Sequence, residues 1–138
     1  FFLTRELLPM LEKAATSGDP ARVLNIGSID GLRVPIVPNF SYAAAKAAVH
    51  QLTRMLAVHL GGRAITVNAI APGFFPSKMT RHLLENYRET FEKACPLGRI
   101  GEPADMVGIA VFLASRAASY INGAVIPVDG GHNLKTEA

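Results

Sequence analysis

Residues 41–73 read SYAAAKAAVHQLTRMLAVHLGGRAITVNAIAPG. The first twenty positions hold no glycine or proline and are rich in alanine, which predicts a helix over Ser41–Leu60, capped by Asn39 or Ser41 and stopped by Gly61 and Gly62. AITVNAIAP then reads as a strand ending at the Pro72–Gly73 turn. Its near-continuous apolar character suits a strand buried on both faces, as in a parallel sheet covered by helices, better than one with a wet side.

Outward from this unit the same alternation continues. Upstream, RVLNIGS (22–28) is a second short apolar strand, and IDGLRVPIVPNF (29–40), with two prolines and a glycine, is a loop. FFLTRELLPMLEKAA at the start is helical in period, with Phe2, Leu3, Leu7, Leu8, Met10 and Leu11 on a broad apolar stripe, and SGDP (17–20) ends it. Downstream, SKMTRHLLENYRETFEKA (77–94) predicts an amphipathic helix and ACPLGRIGEP (94–103) a loop. PADMVGIAVFLAS (103–115) predicts a helix with proline in its first turn, and GAVIPVDGG (123–131) a last strand. Helix, strand, helix, strand, two helices and strand together predict an α/β fold, a doubly wound parallel sheet of about three strands in three layers. Such sheets bind ligands beyond the carboxyl ends of their strands, which places Ser28, Pro72 with Gly73, and Asp129 with Gly130 on the ligand side.

Composition narrows the function classes. The 138 residues are 49% hydrophobic and 18% charged, with a net charge of +3. No run of about 18 apolar residues predicts a membrane span, and no basic stripe interleaved with aromatics predicts nucleic-acid binding. Cys95 has no partner for an intramolecular disulfide, and neither CxxC nor HExxH spacing offers a metal site, so Cys95 is expected to pack as a small apolar residue. Without a signal-peptide pattern, the expected location is the cytoplasm. The chain opens on Phe1 already within a helical period, and a preceding portion is expected.

Tyr42 and Lys46, four apart, project from one helix face, and Ser28 at the tip of the preceding strand is expected to converge on them. A free phenol titrates near about 10, so proton transfer near neutrality asks for a lowering of roughly 3 units, or about 4 kcal/mol. A helix N-terminus supplies about 0.3–1 kcal/mol. An adjacent ammonium supplies about 1–3 units, the right scale for the task. A serine hydroxyl beside this pair would hold the substrate oxygen. Read instead as a hydrolase nucleophile, Ser28 sits in GSIDG one position after the first glycine, where the nucleophile elbow needs two; Asp129 and His132 lie downstream without the expected context.

LNIGSIDG, SYAAAKAAVHQLTRMLA, ITVNAIAPGFFPSKMT and INGAVIPVDGG, in this order and spacing, resemble the second half of a short-chain dehydrogenase/reductase. The resemblance implies a single partial Rossmann-like domain over 1–138 and reversible hydride transfer between NAD(P), with NADP favoured, and an alcohol or ketone. It implies catalytic roles for Ser28, Tyr42 and Lys46, and nicotinamide contacts from Tyr42, Lys46, Pro72, Gly73, the Phe75 backbone and Ser77, which stands where the family usually has threonine. The segment 77–94 is similar to the family's substrate lid, with Met79, Leu83, Leu84, Tyr87 and Phe91 as candidate pocket or packing residues. FFPSKMTRH resembles 3-oxoacyl-carrier-protein reductases of the rhamnolipid kind, and to a lesser degree gluconate and sorbose dehydrogenases. A homodimer or homotetramer is implied, with one interface built through the first helix and the alanine face of the Tyr42 helix and another through the last helix and the last strand.

The glycine-rich TGxxxGxG turn that receives the pyrophosphate in this family has no counterpart here, nor do the NNAG-type strand, the position separating NAD from NADP and the family's catalytic asparagine. The isolated chain is therefore expected to be inactive, with RVLNIGS left as an open sheet edge. A non-catalytic dimerisation or binding module is the competing reading. A sugar-nucleotide epimerase also uses YxxxK, but the compact tail and the VDGG ending fit the shorter dehydrogenases better. His50 is expected in a partly buried structural role, with a subunit interface as its alternative, while His59, His82 and His132 are expected at the surface. Arg99 is expected to fix its loop through Glu102 or Asp105.

Overall fold

The computed structural model describes residues 1–35 and 37–135. Its elements are α1 (Phe2–Ala14), β1 (Ala21–Ile26), α2 (Phe40–Gly61), β2 (Ile65–Pro72), α3 (Arg81–Ala94), α4 (Pro103–Ala114) and β3 (Val125–Val128). Short 3₁₀ turns lie at Ile29–Gly31, Arg116–Ala118 and His132–Leu134. The three strands form one parallel sheet in the order β1-β2-β3, with Val23 opposite Val67 and Ile70 opposite Ile126. The expected loop over 29–40 thus contains a turn at its start, and Ile36 within it lies outside the described residues.

β2 is the centre of the molecule, buried along its length up to Ala71. Because successive side chains of a strand alternate in direction, its two faces build separate cores. Ile65 and Val67 pack with Ala21, Ala57 and Leu60 under α1 and α2, while Ile70 packs with Leu113 and Ala118 under α4. Helices therefore cover both faces of the sheet, the expected three layers.

Two asparagines tie the connection before β3 to the central strand. Buried Asn68 donates through Nδ2 to the Ile121 carbonyl (2.8 Å) and accepts the Ala124 N–H (3.0 Å). Asn122 accepts the Val67 N–H (2.9 Å) and donates to the Ala57 carbonyl (2.9 Å).

The first helix departs from expectation. Of its six-residue stripe only Leu8 and Leu11 pack against the core, while Phe2, Leu3, Leu7 and Met10 are exposed. A helix period places these side chains on one broad face, but the sheet beneath spans too few strands to cover it. The third helix, α3, also starts later than expected, at Arg81 rather than Ser77, and Tyr87 interrupts it with non-helical φ/ψ of −134° and 20°. Residues 77–80 instead form a hydroxyl-linked turn. Ser77 Oγ lies 2.9 Å from Thr80 Oγ1, which donates to the Phe75 carbonyl, and the Thr80 N–H donates to Ser77 Oγ (3.1 Å). Such local hydrogen bonds offer the backbone an alternative to helix.

Candidate active site

The parallel strands bring their carboxyl ends to one rim. Gly27 leaves β1 with its N–H on the Ile70 carbonyl (2.7 Å), and Gly73 leaves β2 with its N–H on the Val128 carbonyl (2.9 Å). A Cβ on Gly73 would lie 2.6 Å from the Asp129 Cβ. The glycine of the Pro-Gly turn is thus required by the neighbouring strand end, whatever else approaches it.

Ser28 is buried at the tip of β1. Its Oγ accepts the Asp30 N–H at 3.2 Å, and among the described residues its own O–H has no acceptor. Asp30 in turn accepts from Asn39 Nδ2 (2.7 Å), which closes the loop leading to α2. Tyr42, in the first turn of α2, and Lys46, one turn later, are both half-buried. Lys46 Nζ lies 5.5 Å from the centroid of the Tyr42 ring, within reach of a cation–π contact. The same ammonium donates to the Ile26 carbonyl at 2.9 Å, two residues before Ser28. Helix α2 therefore carries its phenol and amine to the end of β1.

The cofactor-side candidates are spread along the same rim. Pro72 closes β2 opposite Val128. The Phe75 carbonyl is committed to Thr80 Oγ1, and Phe75's ring packs at Gly101, where a Cβ would lie 2.5 Å from it. Ser77 is exposed, with its hydroxyl engaged by Thr80. Of the lid candidates, Leu84 and Phe91 are buried with Ile100 and Phe74, whereas Met79 and Tyr87 are exposed. An apolar groove of about 470 Å³ lies beside α3, lined by Val37, Leu83, Tyr87 and Phe91 together with Lys93 and Lys135. A second cavity, of about 550 Å³, lies beyond the ends of β2 and β3, lined by Phe74, Phe91, Asp129 and His132. Tyr42, Lys46 and Ser28 line neither cavity.

His132, expected at the surface, is buried with 2% of its area exposed. Gly130 and Gly131, at φ of 63° and 86°, turn the chain back beneath Phe74, whose ring meets the imidazole edge-on at 5.3 Å. Burial first, then the nearby Arg33 charge, lowers the His132 pKa below 6.5, against the opposing pull of Asp129 and Asp30. Arg33 also donates to the His132 carbonyl (3.1 Å), linking the loop after Ser28 to the end of the chain. His59 and His82 are exposed, as expected. Arg99 pairs bidentately with Asp105 (2.7 and 2.8 Å), whose carboxylate also takes the Glu102 N–H at the start of α4. This pairing raises the arginine's pKa and holds the Asp105 carboxyl well below the usual carboxylate range.

A family model described as enoyl-(acyl carrier protein) reductase matches residues 1–133. The chain belongs to the short-chain dehydrogenase/reductase family. It is 46% identical over 136 residues to the rhamnolipids biosynthesis 3-oxoacyl-[acyl-carrier-protein] reductase of Pseudomonas aeruginosa, covering 97% of this chain and 53% of that protein. It is 44% identical over 126 residues to the galactitol 2-dehydrogenase (L-tagatose-forming) of Cereibacter sphaeroides, covering 88% of this chain and 49% of that one. The fold superposes on the Pseudomonas aeruginosa RhlG/NADP active-site complex with a TM-score of 0.90 at 46% identity, over 95% of this chain and 52% of the other. It superposes on a gluconate 5-dehydrogenase from Burkholderia cenocepacia in complex with NADP and tartrate with a TM-score of 0.85 at 29% identity, over 96% and 51% of the two chains. This member of the family spans about half the length of the relatives it matches. Among its described residues no helix is long and apolar enough to cross a membrane, and no group of three or more His, Cys, Asp or Glu side chains is placed to hold a metal ion.

What the sequence left unseen is the nest around His50. Expected to be partly buried, this imidazole is enclosed, with 2% of its area exposed. The readable signal was a pair of glycines, Gly27 and Gly31, bracketing the serine, with a histidine four residues after the lysine.

Proposed function

We propose that this chain forms the proton-transferring, nicotinamide-proximal half of a cytoplasmic NADP-dependent reductase that interconverts a ketone and an alcohol, with a 3-oxoacyl thioester as the favoured substrate. The carrying observation is the placement of Tyr42 and Lys46 one turn apart, with the amine 5.5 Å from the ring and bonded to the tip of the strand that leads to Ser28.

In this reading the Ser28 hydroxyl, whose proton has no acceptor among the described residues, donates to the substrate carbonyl oxygen and orients it. Tyr42 Oη gives its proton to that oxygen as negative charge develops there, and takes one up in the reverse direction. The Lys46 ammonium stabilises the phenolate left behind. The nicotinamide dinucleotide, when bound, supplies the hydride to the carbonyl carbon. The residues fit such a group: an ammonium has three donors, and the Ile26 carbonyl engages one, which leaves two for ribose hydroxyls. The Pro72–Gly73 turn, with Phe75 and Ser77 beyond it, offers backbone at the same rim for the carboxamide. NADP is favoured over NAD by the bound NADP in both similar structures.

Substrate choice rests on the groove beside α3. Its walls of Val37, Leu83, Tyr87 and Phe91 suit an acyl chain better than a polyol. The similarity to galactitol 2-dehydrogenase keeps a sugar alcohol as the second reading. Exposed Phe2, Leu3 and Met10 of α1 and the exposed Ala44, Ala45 and Ala48 of α2 support self-association into a homodimer or homotetramer.

The test joins the first half of the Pseudomonas aeruginosa rhamnolipid-type reductase ahead of Phe1 and follows NADPH consumption. Acetoacetyl thioester should be reduced faster than L-tagatose. Tyr42→Phe should lower the rate by about 10²–10⁴-fold, the range of a lost general acid. An unchanged rate would reject Tyr42 as the proton donor, and no NADPH consumption by the unsubstituted chimera would favour the non-catalytic reading.

A further inference from the structure

One face of α2 grips the end of β1 at three points. Asn25 Nδ2 donates to Thr53 Oγ1 (2.9 Å), Lys46 Nζ to the Ile26 carbonyl (2.9 Å), and the Ser28 N–H to His50 Nε2 (3.4 Å). The third contact is the unexpected one. An apolar side chain at position 50 would fill this interior without the cost of burying a polar ring.

The surrounding backbone is shaped to this ring. A Cβ on Gly27 would lie 2.1 Å from His50 Nε2, and one on Gly31 would lie 2.8 Å from its Cε1 and 2.7 Å from the Ala47 nitrogen. The turn Gly27–Gly31, which carries Ser28 and is closed by the Gly31 N–H on the Ser28 carbonyl (3.0 Å), is therefore wrapped around the imidazole. Gly27 is explained by the imidazole, whereas Gly31 is required first by the α2 backbone at Lys46 and Ala47 and then by the ring.

The hydrogen bond fixes the ring's state. To accept the Ser28 N–H, Nε2 must be bare, which puts the proton of a neutral ring on Nδ1. A doubly protonated ring would set N–H against N–H. Burial, and then the charges of Arg54 and Lys46, lowers the His50 pKa below 6.5, while the Gly31 backbone opposes the shift; Nδ1 itself is buried without a hydrogen-bond partner among the described residues. With 2% exposure and no hydroxyl or carboxylate hydrogen-bonded to it among the described residues, the ring has no route for passing protons to solvent. Its work is mechanical.

We infer that His50, as the neutral Nδ1–H tautomer, is a positioning residue for Ser28: it anchors the serine's backbone so that the hydroxyl is presented to the substrate oxygen in one orientation. This inference rests on the substrate-orienting role proposed above for Ser28. It adds a fourth position to the serine, tyrosine and lysine, one that acts only through the serine.

The test uses the ¹⁵N,¹³C-labelled 138-residue chain and nuclear magnetic resonance. Long-range imidazole spectra should show His50 protonated at Nδ1 alone at neutral pH. Hydrogen exchange at the Ser28 amide should be up to about tenfold faster in His50→Leu, the loss of one net hydrogen bond, and should return toward wild type in His50→Gln, whose side-chain oxygen can take the place of Nε2. Ser28 χ1 couplings should report one rotamer in wild type and His50→Gln, and averaging in His50→Leu. Exchange at Val67 and Ala69 in the central strand should be alike in all three, showing the fold intact. An Nε2–H or charged imidazole, or equal Ser28 exchange and rotamer order in the leucine variant, would overturn the inference. These readouts are indifferent to whether Tyr42 transfers a proton. A fully active Tyr42→Phe chimera would sink the reaction and leave the His50–Ser28 contact standing.

Discussion

At the scale of single residues, the pairing of Tyr42 with Lys46 was the most legible feature of the chain. Tyr42 and Lys46 were paired by helix geometry alone, and the structure keeps them on one side of α2. The depth of histidine burial was less legible: His50 was expected to be partly buried and is enclosed where Gly27 and Gly31 allow it, while His132, expected at the surface, is folded inward by Gly130 and Gly131. Both imidazoles titrate below 6.5 in the folded chain. The unfolded chain takes up protons at these sites as pH falls through about 6.5, whereas the folded chain does so only at lower pH. Their contribution to stability is thus complete above that value and is lost as pH falls through the folded pKa values. Urea unfolding midpoints should decline between about pH 7 and about pH 5, a range in which ordinary carboxylates stay largely ionised. A flat profile would show that neither ring is held neutral.

Among the elements, β2 was readable because a run of apolar residues between Gly62 and Pro72–Gly73 has few other ways to be buried. Helix α3 was less so. Its amphipathic period begins at Ser77, yet the hydroxyls of Ser77 and Thr80 bond to each other and to local backbone, which delays the first helical turn to Arg81. The polar link between β2 and the segment before β3 also escaped sequence reading, since Asn68 and Asn122 each bond partners more than 50 positions away that come near only in the folded sheet. Asn68→Ala should destabilise the chain by about 1–3 kcal/mol, because the Ala124 N–H and the Ile121 carbonyl lose their partner in a buried setting. Urea titration measures this, and a loss under about 0.5 kcal/mol would mean that water replaces the amide.

For the whole molecule, the three-layer arrangement followed from the alternation of elements, and the structure realises it with only three strands. A sheet this narrow has proportionally more edge than a wide one. Among the described residues β1 pairs on one side only, and Ile26 at its end is 53% exposed. Open strand edges invite pairing with other chains, and a charge at the edge discourages it. Ile26→Lys should therefore lower concentration-dependent association of the 138-residue chain in sedimentation velocity while its circular dichroism stays unchanged. Association that is indifferent to this substitution would place the contact on the apolar face of α1 instead. The free side of β1 has a practical use as well. If these residues and the complementary half of the rhamnolipid-type relative are carried on two interacting proteins, their encounter would set a strand beside β1, and NADPH consumption would become a biosensor for that encounter.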